Sequence, residues 1–243
     1  MKSEFMPSDM LVSAKSLGEP ALPDFCPRCY WIKLRLENKL PFQIFPGIFS
    51  SIDAYTKRVV HGWFDQYAAA PPWLEALGPL TGYRQPPHYT RFKVQEPETG
   101  LILRGTPDAV YIRPDGSHLI ADYKTSRYTN HQDRLLPMYI AQLNAYAYLG
   151  ERCGLAPVSA LALIYTEPVT HEEAATDQQN YRQDGFSMGF SAHIVPVELN
   201  PDLVRTLLRQ VRLILDLPEP PQGLEGCKDC SYTANLVALL SEE

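Results

Sequence analysis

The sequence predicts an α/β fold with a mixed central β-sheet flanked by helices, and three observations predict it. Residues 90 to 126 are strand-like runs separated by strong turn signals, a helix-patterned stretch follows directly, and strand and helix patterns then alternate again toward the C-terminus. The 243 residues, 45% apolar and 21% charged, are enough to bury one substantial core. No repeat or low-complexity tract divides the chain. Residues 1–21, polar and punctuated by Pro and Gly, read as an N-terminal tail, and 22–243 as a single domain.

Taken in order, Tyr30 to Leu40 is helix-like and ends before Pro41, and a second helix, Phe49 to Tyr67, follows Pro46-Gly47. The proline-rich stretch Pro71 to Pro87 reads as a connector. A three-strand meander comes next: Arg91 to Gln95, a Glu-Pro-Glu-Thr-Gly turn, Leu101 to Ile112, an Arg-Pro-Asp-Gly turn, and His118 to Lys124. From Pro137 the residues are helix formers up to a glycine stop at Gly150. An apolar strand Ala160 to Tyr165, a polar loop Glu167 to Gly185, a strand Ser191 to Glu198 and a helix Pro201 to Leu217 complete the pattern.

The third meander strand ends in Asp122-Tyr123-Lys124. An acid-any-Lys tripeptide is weak by itself, since about one is expected by chance in a chain of this composition, and Glu37-Asn38-Lys39 is a second. Context separates them. Strand side chains alternate, so Ile120, Asp122 and Lys124 share one face and Leu119, Ala121 and Tyr123 the other. A hairpin of the second and third strands brings Asp108, at a kink after Pro107, near Asp122. Two carboxylates plus a substrate phosphate suffice to hold Mg²⁺, and the Tyr123 carbonyl can add a further oxygen. Lys124 is then placed to orient a water or balance charge in the transition state. Glu37-Asn38-Lys39 has no such setting.

On the following helix Gln142 and Tyr146 are four apart and share a face. The order Gly-x-x-Asp (Gly105 to Asp108), Asp-x-Lys (Asp122 to Lys124), then Gln-x-x-x-Tyr (Gln142 to Tyr146) resembles the PD-(D/E)XK nuclease superfamily in its RecB-like branch, which includes CRISPR-adaptation exonucleases. The resemblance implies a restriction-endonuclease-like core. It implies a Mg²⁺- or Mn²⁺-dependent deoxyribonuclease, with Asp108 and Asp122 as metal ligands, Lys124 as the catalytic lysine, and Gln142 and Tyr146 beside the DNA backbone or that lysine. It further implies an upstream ligand on the helix before the meander. Asp53, soon after Ser50 and Ser51, fits this place better than His61.

Five cysteines form the other strong signal. Cys26 with Cys29 and Cys227 with Cys230 are Cys-x-x-Cys pairs near the two ends of the chain, where roughly 0.1 such pair is expected by chance. Without a signal-peptide pattern or a twenty-residue apolar run, the expected setting is cytoplasmic and reducing, and there paired thiols more often mean metal than disulfide. Four thiolates suit tetrahedral Zn²⁺ or an iron–sulfur cube. The family resemblance implies a [4Fe-4S] cluster, although its usual arrangement is one cysteine before the core and three after, not two and two. Cys153 reads as a small buried apolar residue.

A net charge of −6 excludes general polyanion binding and leaves only local basic stripes to meet phosphates. Arg28, Lys33, Arg35, Arg127 and Arg134 are candidates. The connector aromatics Trp73, Tyr83 and Tyr89, with Arg84, either stack single-stranded bases or pack the loop onto the core. The expected partners are DNA, single strands included, and a helicase or a repair or defence complex; oligomeric state is not legible. A nuclease of DNA repair, recombination or defence is the first function class, acting on single strands or ends if an exonuclease. A non-catalytic nucleic-acid-binding module of a helicase or repair complex is the second. A zinc hydrolase of another fold lacks its ligands, since no His-x-x-x-His occurs among six histidines.

Overall fold

A computed structural model describes residues 10–39, 46–130 and 133–241. Strand β1 (Leu11–Ser13) runs into the short helix α1 (Ala14–Gly18), followed by α2 (Pro27–Arg35) and the long α3 (Gly47–Tyr67). Five short or medium strands come next: β2 (Gly82–Arg84), β3 (Lys93–Gln95), β4 (Ile102–Arg104), β5 (Ala109–Ile112) and β6 (His118–Lys124). Helix α4 (Leu136–Arg152) then crosses to β7 (Val158–Pro168). After α5 (Glu172–Thr176), a small hairpin of β8 (Tyr181–Arg182) and β9 (Gly185–Phe186) precedes β10 (Phe190–Val197), α6 (Pro201–Leu215) and α7 (Lys228–Ser241).

The main sheet has the order β10-β7-β6-β5-β2, with β6 and β7 parallel and the other pairs antiparallel. Strands β6 and β7 are parallel because α4 returns the chain over one face, as a crossover requires. That face buries Val110, Ile120, Leu161, Leu163 and Tyr165 against α4 and α6. The opposite face buries Tyr111, Leu119, Ala121, Tyr123 and Ile164 against Val60 and Phe64 of α3. The alternation read from the sequence thus holds residue by residue along β6. In α6 the buried Val204, Leu207, Leu208, Val211, Ile214 and Leu215 recur at helical spacing, and Asn200 caps its start by accepting from the Leu203 N–H at 3.1 Å.

Three expectations need correction, and of the two readings of the connector residues the packed one holds for Trp73, Tyr83 and Arg84. The predicted strand Leu101 to Ile112 is two strands in two sheets: β4 pairs with β3 and with β1 in a three-stranded sheet, while β5 pairs with β6 in the main one. Gly105 and Pro107 lie at the break, and proline has no N–H to continue a ladder. Residues 10–21, expected to belong to a tail, are instead packed: Val12, Ala14 and Leu17 are buried in the main core. Glu37-Asn38-Lys39 is not helical, because α2 stops at Arg35 and Glu37 and Asn38 take positive φ; Leu40 and Pro41, the expected helix end, lie outside the described residues. The connector aromatics are held by protein. Tyr83 belongs to β2, stacks on His61 and donates to Asp65, Trp73 meets Trp63 edge-on, and Arg84 donates to the Gly154 carbonyl. Only Tyr89 keeps half of its surface in solvent with a ring neighbour of its own segment, His88.

Candidate active site and cysteine centre

The cleft lies where β6 emerges from the sheet between the start of α3 and one face of α4. Strand β5 begins at Ala109, opposite Ala121, so the sheet opens just where Asp108 and Asp122 stand. Continuing that register places Pro107 opposite Tyr123, and a proline offers no N–H to the Tyr123 carbonyl. The Tyr123 N–H instead donates to Asp108 Oδ2 at 3.0 Å, which fixes that carboxylate beside β6. Gly105 sets the approach from the other side: a Cβ there would meet Tyr146 Cε1 at 2.6 Å and the Ala14 Cβ at 3.0 Å, so only glycine lets the chain pass beneath the ring.

Asp122 is 3% exposed, and its environment is electrostatically unfavourable for an unaided anion. Burial, reinforced by the nearby Asp108 charge and opposed by Lys124, pushes its carboxyl up to about 7. Oxygen Oδ2 is ion-paired with the Lys124 ammonium at 2.5 Å. Oxygen Oδ1 accepts a long 3.5 Å bond from Gln142 Nε2.

One face of α4 organises the lysine. Tyr139, Gln142 and Tyr146 are spaced three and four apart: Lys124 Nζ sits 3.9 Å over the Tyr139 ring, donates to Gln142 Oε1 at 3.3 Å, and Gln142 Nε2 donates to the Tyr146 hydroxyl at 2.8 Å. Burial and the Asp122 charge raise the Tyr146 phenol well above its ordinary value, so it remains a neutral hydroxyl.

Every residue of the expected acid-lysine-glutamine-tyrosine set lines this one cleft, and so does Asp53. His61 does not; it stacks on Tyr83 at 3.9 Å and lies 3.5 Å from Gln85. Asp53 is bound by Lys57, whose Nζ also reaches Asp108 Oδ1 at 2.7 Å. Burial opposes the Lys57 charge, yet Asp108 and then Asp53 outweigh it and raise its pKa. Lys57, and the cleft-lining Lys15 and Tyr139, escaped the sequence reading. Lys57 is four residues from Asp53, the spacing of an ordinary helical ion pair, and nothing local distinguishes it from one. Of the expected basic contacts, Lys33 pairs with Glu19, Arg134 with Asp24, and Arg35 donates to the carbonyls of Leu215 and Leu217.

At the other end of α2 the four paired cysteines meet. Cys26 caps α2 and Cys29 sits in its first turn, while Cys227 precedes α7 and Cys230 sits in its first turn. Their sulfurs all lie within 4.8 Å of one another, with Cys26–Cys230 at 3.5 Å, Cys29–Cys230 at 3.4 Å and Cys29–Cys227 at 3.7 Å. Burial works to raise the Cys26 thiol, but N–H groups of Cys29 and Leu224 outweigh it and bring it down to about 6. Burial and the neighbouring sulfurs push Cys29 up. Such crowding of thiols around one point is what a cation relieves. Cys153 lies apart, its sulfur 3.8 Å from the Lys93 carbonyl.

With this geometry in view, the chain was compared with known proteins. The sequence model of the PD-(D/E)XK nuclease superfamily matches residues 44–234. The chain belongs to the PD-(D/E)XK nuclease superfamily. The matched span holds Asp108, Asp122, Lys124, Gln142, Tyr146 and the second cysteine pair, whereas Cys26 and Cys29 precede it. The mixed five-stranded sheet flanked by helices is consistent with the superfamily fold. A solved structure described as "Crystal structure of SSO0001" is 15% identical, with a TM-score of 0.43 over 87% of this chain and 79% of that one. No curated protein sequence matches the chain. Among the described residues, no helix is long and apolar enough to cross a membrane.

Proposed function

We propose that this chain is a Mg²⁺- or Mn²⁺-dependent deoxyribonuclease of the RecB-like branch, cutting phosphodiester bonds in the cleft of Asp108, Asp122 and Lys124. The observation that carries it is Asp122: a buried carboxylate paired with Lys124 and facing a second acid from the start of β5, in a member of a nuclease superfamily. These oxygens and the Tyr123 carbonyl, opposite a proline, are the hard donors a divalent ion of this kind takes, so the residues fit it. When bound, the ion supplies Lewis-acid polarisation of the phosphate and a water of lowered pKa.

The chain's own groups do the rest. Lys124, held by the Tyr139 face and the Gln142 carbonyl, directs an N–H toward the attacking water or the phosphate oxygen that gains charge. Water attacks phosphorus, one ester P–O bond breaks, and the leaving oxygen takes a proton. Gln142 and Tyr146 act through Lys124 by fixing where its ammonium stands. Action on single strands or ends, with a helicase or a repair or defence complex as partner, is the form this activity takes in the RecB-like branch. Labelled single- and double-stranded DNA with Mn²⁺ tests the reading. Wild type should cleave while Asp122→Ala and Lys124→Ala do not; parental rates in both variants would overturn the assignment, and an inert wild type that still binds DNA would return the chain to a non-catalytic binding module.

We read the four cysteines as a structural Zn²⁺ site. A tetrahedral ion bound by four thiolates at about 2.3 Å sets its sulfurs roughly 3.8 Å apart; here three of the separations are 3.4 to 3.7 Å and all lie within 4.8 Å. A [4Fe-4S] cube puts each thiolate on a different iron and spreads the sulfurs wider, which disfavours the cluster implied by resemblance. Metal analysis and visible absorption of anaerobically purified protein decide it: zinc without a brown chromophore supports the reading, and iron with sulfide overturns it.

A further inference from the structure

Lys57 is the cleft residue the nuclease reading leaves unexplained. It stands on α3, and its ammonium bridges two carboxylates from different elements, Asp53 Oδ2 at 2.8 Å and Asp108 Oδ1 at 2.7 Å. Its side chain is 27% exposed, so the bridge is partly withdrawn from solvent, unlike a surface ion pair. Joining an upstream acid to the acid at the start of β5 is the work a second divalent ion does in a two-metal site.

Charge points the same way. The cleft is lined by three carboxylates, Asp53, Asp108 and Asp122, and by Lys124, and Lys57 is ion-paired to Asp53 and Asp108; setting aside Lys15, which also lines the cleft but is exposed and screened by solvent, two ammoniums face three carboxylates. One divalent cation therefore leaves a single positive charge, which one phosphodiester neutralises. Two divalent cations with both lysines present leave three positive charges packed around the same phosphate.

We propose that Lys57 holds the place of a second metal ion, so that the cleft takes one divalent cation, on the Asp108 and Asp122 side, and Asp53 serves as the partner of Lys57 instead of a metal ligand. This rests on the metal-site reading above. The ammonium then contributes fixed positive charge beside the phosphate at any metal concentration, and the enzyme depends on the binding of one ion.

The test counts ions. Full-length protein with its thiolate centre loaded is titrated with Mn²⁺ by calorimetry, with electron paramagnetic resonance to detect spin-coupled pairs; thiolates disfavour Mn²⁺, so the count reports the carboxylate cleft. Wild type and Lys57→Arg should bind one Mn²⁺ per chain without a coupled pair. Lys57→Gln should bind two, coupled, and Lys57→Gln with Asp53→Asn should return to one. Two ions in the wild type would overturn the proposal while leaving the nuclease site standing, and this arm needs no variant to fold. A folded Lys57→Gln that still binds one ion would also overturn it. No Mn²⁺ binding in the wild type would overturn both readings together.

Discussion

Gly105 lies directly beneath the ring of Tyr146, so close that an added Cβ would stand 2.6 Å from Tyr146 Cε1. Two short motifs more than forty residues apart are thereby one packing unit. The turn that delivers Asp108 can take its path only because residue 105 has no side chain, and the tyrosine it passes is the one that anchors Gln142.

Gly105→Ala should therefore act on both stability and chemistry. Overpacking a filled site costs about 1–3 kcal/mol, and in a chain of this size each kcal/mol lowers Tm by roughly 2–4 °C. Thermal unfolding should show that loss, and DNA cleavage should fall by more than the loss of folded protein explains.

The acid at the end of β6 predicts an inverted pH dependence. Its folded pKa, about 7, lies above the ordinary aspartate range because of burial and then Asp108. The folded state thus binds a proton that the unfolded chain has lost, and this contribution to stability is fully present below about pH 4 and disappears as pH rises toward 7. Metal-free wild type should lose Tm over that interval more than Asp122→Asn, and added Mn²⁺ should remove the difference at pH 7.

The face of Tyr139 should matter through Lys124 alone. Tyr139→Phe keeps the ring under the ammonium and should retain most activity. Tyr139→Leu removes a cation–π contact worth about 0.5–2 kcal/mol; kcat should fall several-fold with KM for DNA little changed. Equal kcat in both variants would separate this ring from the lysine.

Any one of Cys26, Cys29, Cys227 or Cys230 changed to Ser should lower both bound zinc and Tm, since binding at a site absent from the unfolded chain is folding free energy. Cys153→Ser should leave zinc content unchanged, its sulfur lying by the Lys93 carbonyl and not among the four.

Deleting residues 1–21 should unfold or severely destabilise the protein. Val12 and Leu17 are 1% and 0% exposed, and each such side chain contributes about 1.5–3 kcal/mol on burial. Circular dichroism of the shortened chain showing parental Tm would restore the tail.

What the sequence made legible follows from where the signals were local. The period-two pattern of β6 put Asp122 and Lys124 on one face with Ile120, and helical spacing put Gln142 and Tyr146 on one face, both as found; that the strand face meets α4 comes from the structure. The hairpin partner of β6 was also legible, because Arg-Pro-Asp-Gly leaves little choice of turn. Hidden features were those that depend on distant contacts. Residues 10–21 belonged to a stretch that looked polar and punctuated by Pro and Gly, and Leu11 to Gly18 becomes core only because β4 and α4 supply the surfaces it covers. The break between β4 and β5 was written in Gly105 and Pro107, but its reason, the Tyr146 ring, lies on another element. Lys57 went unread because the acid it bridges to, Asp108, is 51 residues away.

The sulfur cluster carries one more implication. Cys26 and Cys230 come within 3.5 Å without a bond, on two helices from opposite ends of the sequence. An oxidant that reaches the emptied centre needs to draw them only slightly closer to cross-link α2 to α7, expelling two ligands from the metal's reach. Chelation under reducing conditions and chelation in air therefore lead to different molecules. Under the zinc reading proposed above, the first should open the clasp, whereas the second should lock it shut so that added Zn²⁺ binds only after a thiol reductant; Zn²⁺ uptake by air-chelated protein without reductant would overturn this.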